Sequence, residues 1–174
     1  MRYALVYGGI AGAIVISVLV ASFALDLPNH TSSMWFGYLI MLVALSLIFV
    51  GVKRYRDVEC GGVIRFGRAL GLGLGISVVA ATVYIIGWEA YLAASGWDFM
   101  ADYSATIIEG MRADGASAAA IEAKTAEMRG LAEMYANPLM RIPITFVEIF
   151  PVGLVVALVS AALLRNPRML PAQR

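Results

Sequence analysis

Polar and charged positions along this chain are gathered into a few stretches, and four long apolar runs lie between them. The first run, residues 4–25, is almost unbroken. About 22 residues at ~1.5 Å rise each cover the ~30 Å hydrocarbon core of a bilayer, so the pattern predicts a membrane-spanning helix. A cleaved signal peptide, with Arg2 as its charged start and Ser22-Phe23-Ala24 as its cleavage site, is the competing reading. Such peptides use only ~7–15 apolar residues, which favours an uncleaved span. After it comes a polar turn, residues 26–33, with Pro28, Asn29 and His30, and Thr31, Ser32 and Ser33 stand ready to cap the next helix. The second span covers residues 34–51 and opens on Trp35 and Tyr38, amphipathic rings that favour the headgroup level.

Residues 51–68 break the apolar pattern with Lys53, Arg54, Arg56, Arg65 and Arg68, and with Gly61-Gly62 as a chain break. A third helix is expected from near Val63, spanning at residues 68–92. It is longer than the hydrocarbon is thick, so its first turns belong among the headgroups, where Arg65 and Arg68 can reach phosphates. Residues 93–141 are acidic and polar. They read as a helix over 97–111, a turn at Asp114-Gly115, and a second helix capped by Ser117 and ended by Asn137-Pro138, with Ile121, Met128, Leu131 and Tyr135 on one face. The fourth span, residues 142–164, contains Pro143 and Pro151. The predicted fold is all-α: a four-helix transmembrane bundle forming one integral membrane domain over residues 1–174, with an extramembrane helical hairpin between spans three and four.

Composition agrees with a bilayer as solvent. Hydrophobic residues make up 61% and charged residues 14%, with a mean hydropathy of +0.81, whereas soluble domains carry about a quarter charged residues. The net charge of +1 and the lack of a basic aromatic cluster argue against nucleic acid as a partner. Cys60 and His30 are the only cysteine and histidine, which excludes an internal disulfide and metal sites built from His/Cys clusters within one chain. No nucleophile is paired with a base, so no catalytic residue, metal or cofactor is expected, and the chain is read as a non-enzyme. Basic residues at Arg2, in the connector and in the tail, against none in the first loop, place both termini in the cytoplasm and the acidic hairpin outside.

Three groups of residues are candidates for function or packing. The connector cations Lys53, Arg54, Arg56, Arg65 and Arg68 serve as topology signal and contact for anionic headgroups on the cytoplasmic side, or alternatively for a partner. Gly9 and Ala13, with Gly8 and Gly12 beside them, and the ridge Gly67, Gly71 and Gly75 are expected to pack helices closely within the bundle, with homo-oligomerisation as the sharper alternative. Glu89 and Glu148 fall inside predicted spans, where a carboxylate costs several kcal/mol unless paired, protonated or near an interface. They form a candidate proton or cation site, able to share a proton if both point inward; structural hydrogen bonding is the plainer reading for each. Glu148 shares an azimuth with Val152, Val155 and Val159 and opposes Gly153, Ala157 and Ala161, so only one of these lines can face the bundle unless the Pro151 kink turns them together. The cost of exposure to lipid predicts Glu148 inside, bonded to Thr145 or to a partner helix.

Several motifs taken together resemble a bacterial membrane family known as domain of unknown function 4199: Gly51-x-Lys53-x-Tyr55-Arg56-Asp57, Gly61-Gly62 followed by Phe66-Gly67, Tyr135-x-Asn137-Pro138, and Glu148-x-x-Pro151-x-Gly153-Leu154. The resemblance implies the four-span organisation alone and brings no catalytic residues; the expected setting is a bacterial inner membrane. The leading functional reading is a structural, lipid-contacting or accessory membrane subunit. A small proton- or cation-coupled transporter using Glu89 and Glu148 is the alternative.

Overall fold

The computed structural model describes residues 1–24, 34–95 and 99–171. The turn at 26–33, with His30 and its capping residues, lies outside the described residues, as do Trp97 and Asp98. Among those described there is no strand, and the helices run α1 Arg2–Ala24, α2 Met34–Leu45, α3 Leu47–Glu59, α4 Phe66–Ala94, α5 Phe99–Ala113, α6 Ala118–Ala136 and α7 Pro138–Leu164. Four segments are long and apolar enough to cross a membrane: Arg2–Phe23, Gly37–Glu59, Phe66–Ala94 and Pro138–Leu164.

The second of these corrects the expected boundary, because the helix does not stop near Gly51. α2 pauses at Ser46, whose hydroxyl donates to the Val43 carbonyl at 2.6 Å, a local bond that competes with the helical ladder. Ser46 keeps a right-handed backbone, and α3 carries on from it through the basic residues to Glu59. The first half of the basic connector is helix because Lys, Arg and Glu are all good helix formers. The turn comes only at Gly61 and Gly62, with φ of 62° and 88°, a left-handed conformation that glycine adopts without steric cost.

Packing divides the chain into two compact units. The first comprises Met1–Gly87 with Phe146–Arg174, so it holds α1 to α3 and the larger parts of α4 and α7. Its close approaches on α1 fall on Gly8 and Gly12, the glycines expected beside Gly9 and Ala13, and not on Gly9 and Ala13 themselves. A Cβ added at Gly8 would lie 2.6 Å from the Ile76 carbonyl oxygen, and one at Gly12 would lie 2.5 Å from that of Ala80. At Gly9, Gly67 and Gly71 an added Cβ meets nothing within 4 Å, and at Gly75 it would make ordinary contact with Ala4. Ala13 is exposed. The seam between α1 and α4 therefore uses the row one residue back from Gly9 and Ala13, where Val79 and Val83 fill the notches left by Gly8 and Gly12. On its other side α4 meets α7 through Gly73 against Ala157 and Ser77 against Gly153.

Hydroxyls within these apolar helices are satisfied by their own backbone. Ser22, Ser77, Thr82 and Ser160 each donate to the carbonyl four residues earlier, the local solution that a segment without water requires.

The second unit, Trp88–Thr145, contains the end of α4, α5, α6 and the first turns of α7. α5 and α6 pack on each other across the turn at Gly115, whose φ is 75°. Ser117 caps α6 by accepting a hydrogen bond from the Ala120 amide at 3.3 Å. Ile108 of α5 and Met128 of α6 are buried.

Candidate functional site

Within the second unit, Glu89 is held by an arginine that sequence reasoning had left among the charges of the polar region. Arg141 stands in the first turn of α7, and its side chain is 2% exposed against 27% for Glu89. Its Nε donates to Glu89 Oε1 at 2.7 Å and its Nη2 to Oε2 at 2.6 Å, a two-point pairing that matches the planar guanidinium to the carboxylate. Nη1 donates to the Tyr135 carbonyl at 2.8 Å, so all three faces of the fork are used. The Tyr135 ring also lies 5.8 Å from the guanidinium carbon, and its hydroxyl accepts from Trp88 Nε1 at 2.5 Å. Trp88 is buried and meets Phe99 edge-on at 4.9 Å. The cluster thus ties α4, α5, α6 and α7 together around one buried cation. Chemically it is a satisfied ion pair, with Glu89 acting as acceptor to both nitrogens.

Glu148 belongs to the first unit and lies at the edge of the outer face of α7: the residue as a whole is exposed, while its carboxylate reaches the buried Tyr84 of α4. Tyr84 Oη donates to its Oε2 at 3.4 Å, a long contact. Of its two expected partners, Thr145 gives its hydroxyl to the Arg141 carbonyl, whereas a neighbouring helix, α4, supplies the Tyr84 contact. Packing explains the orientation. Gly153, Ala157 and Ala161 all face inward, which lets α7 approach α4, and Val155 and Val159 are left outward with Glu148. Three small residues over two turns outweigh a single polar one, because close contact is made along the length of the helix and the carboxylate's cost is local. The two glutamates therefore have separate partners, each within its own unit.

The basic connector divides into two kinds of cation. Arg54, Arg65 and Arg68 are exposed, and Lys53 is half-buried in an ion pair with Asp57 at 2.5 Å. Arg56 departs from the expected headgroup contact: its side chain is 0% exposed. Its Nε donates to Asp57 Oδ1 at 2.7 Å, and its Nη1 and Nη2 donate to the carbonyls of Met169 and Leu170 at 2.9 and 2.5 Å. The guanidinium caps the chain's own tail. Cys60 is a free thiol of intermediate exposure.

Comparison with protein families agrees with the motifs quoted above. The family described as "Protein of unknown function (DUF4199)" matches residues 6–166. The chain belongs to that family. The match takes in all four apolar segments for most of their length, together with Glu89, Arg141, Glu148 and every connector cation. No curated protein matches. No solved structure matches either.

Two parts of this DUF4199 chain were missed by sequence reasoning, Arg141 and the tail. Arg141 carried a signal: it lies three residues after Pro138, which starts α7, so it stands at the mouth of a span and not in the acidic region. For the tail nothing local pointed to Arg56, since its acceptors are backbone carbonyls more than a hundred residues away.

Proposed function

We propose that this protein is a multi-pass subunit of a bacterial inner membrane, with a structural, lipid-contacting or accessory role and no catalytic activity of its own. Four apolar segments support the membrane setting, and family membership adds no activity that would compete with the reading. The observation that carries it is the division of labour among the cations. Those that are buried, Arg56 and Arg141, are consumed in structural bonds. Those that are exposed, Arg54, Arg65 and Arg68, flank apolar helix and suit anionic headgroups. On the basic-residue count both termini and the connector face the cytoplasm, and α5 and α6 lie outside.

A second reading is favoured by one observation, the carboxylate of Glu148 within an apolar helix, met there by the buried Tyr84 hydroxyl. A proton- or cation-coupled role would place its chemistry there, in an assembly that covers it, with a protein partner or further copies of the chain supplying the cover. One reconstitution separates the readings. Single cysteines at positions 54 and 127, in a Cys60→Ser background, are expected to label from opposite sides of sealed vesicles, with no proton or cation flux above empty vesicles. Labelling from one side would overturn the orientation, and flux lost in Glu148→Gln would replace the first reading with the second.

A further inference from the structure

At the edge of the first unit, the start of α1 and the end of α3 enclose a cleft of about 160 Å³ lined by Arg2, Tyr3, Val6, Tyr7 and Arg54. Both arginines are exposed, and no carboxylate is among the lining residues. The aromatic wall is held in place from behind. Tyr3 and Tyr7 stack in parallel at 6.4 Å, Tyr55 meets Tyr3 edge-on at 5.4 Å, and the Tyr7 ring sits where a side chain at Gly51 would be. Glu59, the acid at this edge, accepts the Tyr3 hydroxyl at 3.0 Å, which occupies one of its oxygens. Two guanidiniums lining a cleft beside a fixed aromatic wall form a receptor for an oxyanion such as a phosphate, whose geometry their planar donors match.

The cleft, at about 160 Å³, has room for one phosphate group and is too small for a whole lipid. What continues from it decides the ligand. Val6 lines the cleft, and Ile10 and Ile14 follow at four-residue spacing on the same face of α1, all three exposed. They form an apolar track running about 12 Å along the span. A free phosphate has no use for that track, whereas an acyl chain does.

We infer that this cleft is a discrete site for an anionic glycerophospholipid, with its phosphate between Arg2 and Arg54 and one acyl chain along Val6, Ile10 and Ile14. The inference rests on the lipid-contacting role proposed above and sharpens it from a charged rim to one seat with defined contacts. Arg65 and Arg68 attract anionic headgroups in general, while Arg2 and Arg54 hold one.

The test is native mass spectrometry of the full chain released from detergent, titrated with phosphatidylglycerol or phosphatidylcholine. One phosphatidylglycerol per chain is expected to survive release, and phosphatidylcholine is not. The pair Arg2→Gln with Arg54→Gln should weaken retention roughly tenfold or more, and Arg65→Gln with Arg68→Gln by less than about twofold. Equal loss in the two pairs would overturn the discrete site while leaving general headgroup contact intact. Competition by soluble glycerol 3-phosphate as strong as that of the lipid would make the ligand a free phosphate and overturn the acyl track. Ile10→Asn, which leaves both arginines in place, should weaken the lipid alone. If the double glutamine variant does not fold, this variant decides, and unchanged lipid retention in it overturns the proposal.

Discussion

Arg141 and Glu89 show how much depends on which partner of a buried pair is removed. The arginine is almost fully enclosed, and a quarter of the glutamate is exposed. Glu89→Ala therefore leaves a buried cation without its counter-charge, a change that costs ~3–5 kcal/mol. Arg141→Met leaves a carboxylate that still reaches solvent or headgroups, and it should cost less. Thermal unfolding in detergent is expected to rank Glu89→Ala below Arg141→Met, with the double variant Glu89→Leu/Arg141→Met recovering part of the loss. The reverse ranking would mean that Arg141 finds other acceptors and that the pair is incidental. From sequence, Glu89 could be recognised as an ionisable group needing company, but its partner lay beyond two further helices. Identifying it required knowing that the start of α7 returns to the end of α4.

At the scale of helices, the glycines give a sharp contrast between neighbours in the chain. Gly12 faces backbone: an added Cβ would lie 2.5 Å from the Ala80 oxygen and 2.9 Å from Val83 Cβ, so either α1 or α4 must move. Gly9 faces open space. Gly12→Ala should destabilise by about 1–3 kcal/mol through overpacking. Gly9→Ala should be neutral or stabilise by up to ~1 kcal/mol, since alanine costs less conformational entropy in a helix. Melting curves of the two variants in the same detergent check this, and equal melting points would remove the assigned seam. Sequence located both rows on α1 and put Gly9 and Ala13 first, whereas contact falls on Gly8 and Gly12; of the ridge expected on α4, Gly75 meets Ala4 of α1 while Gly67 and Gly71 face open space. Glu148 repeats the lesson on α7, where the row of Gly153, Ala157 and Ala161 took the inner face.

For the molecule as a whole, Arg56 joins the end of the second span to the C-terminal tail, 113 and 114 residues on, within the first unit. Loss of its two charge-assisted bonds to Met169 and Leu170 should release the tail by about 2 kcal/mol, a roughly thirtyfold rise in its open population. Limited trypsin cleavage after Arg168 is expected to accelerate by that factor in Arg56→Gln and to stay unchanged in Arg54→Gln, whose side chain is exposed. Equal rates in the two variants would show that the tail is held by other contacts. A residue first read as part of a topology signal thus has a structural duty, which its neighbour Arg54 does not share.

What the sequence determined by itself is the rods and how apolar each one is. Apolar length marked four helices long enough to cross a bilayer, polar breaks separated them, Gly61-Gly62, Asn137-Pro138 and Ser117 marked ends, and motif content indicated the family. These features are local, and their physics operates within a few turns of chain. Only the tertiary structure decided the azimuths, because a helix that is apolar on every side has no periodic signal to say which face meets its neighbour. Orientation is then settled by the fit of side-chain shapes between helices. That fit turned Gly8 and Gly12 inward in place of Gly9, set Glu148 outward, and gave Arg141 and Arg56 partners from distant parts of the chain.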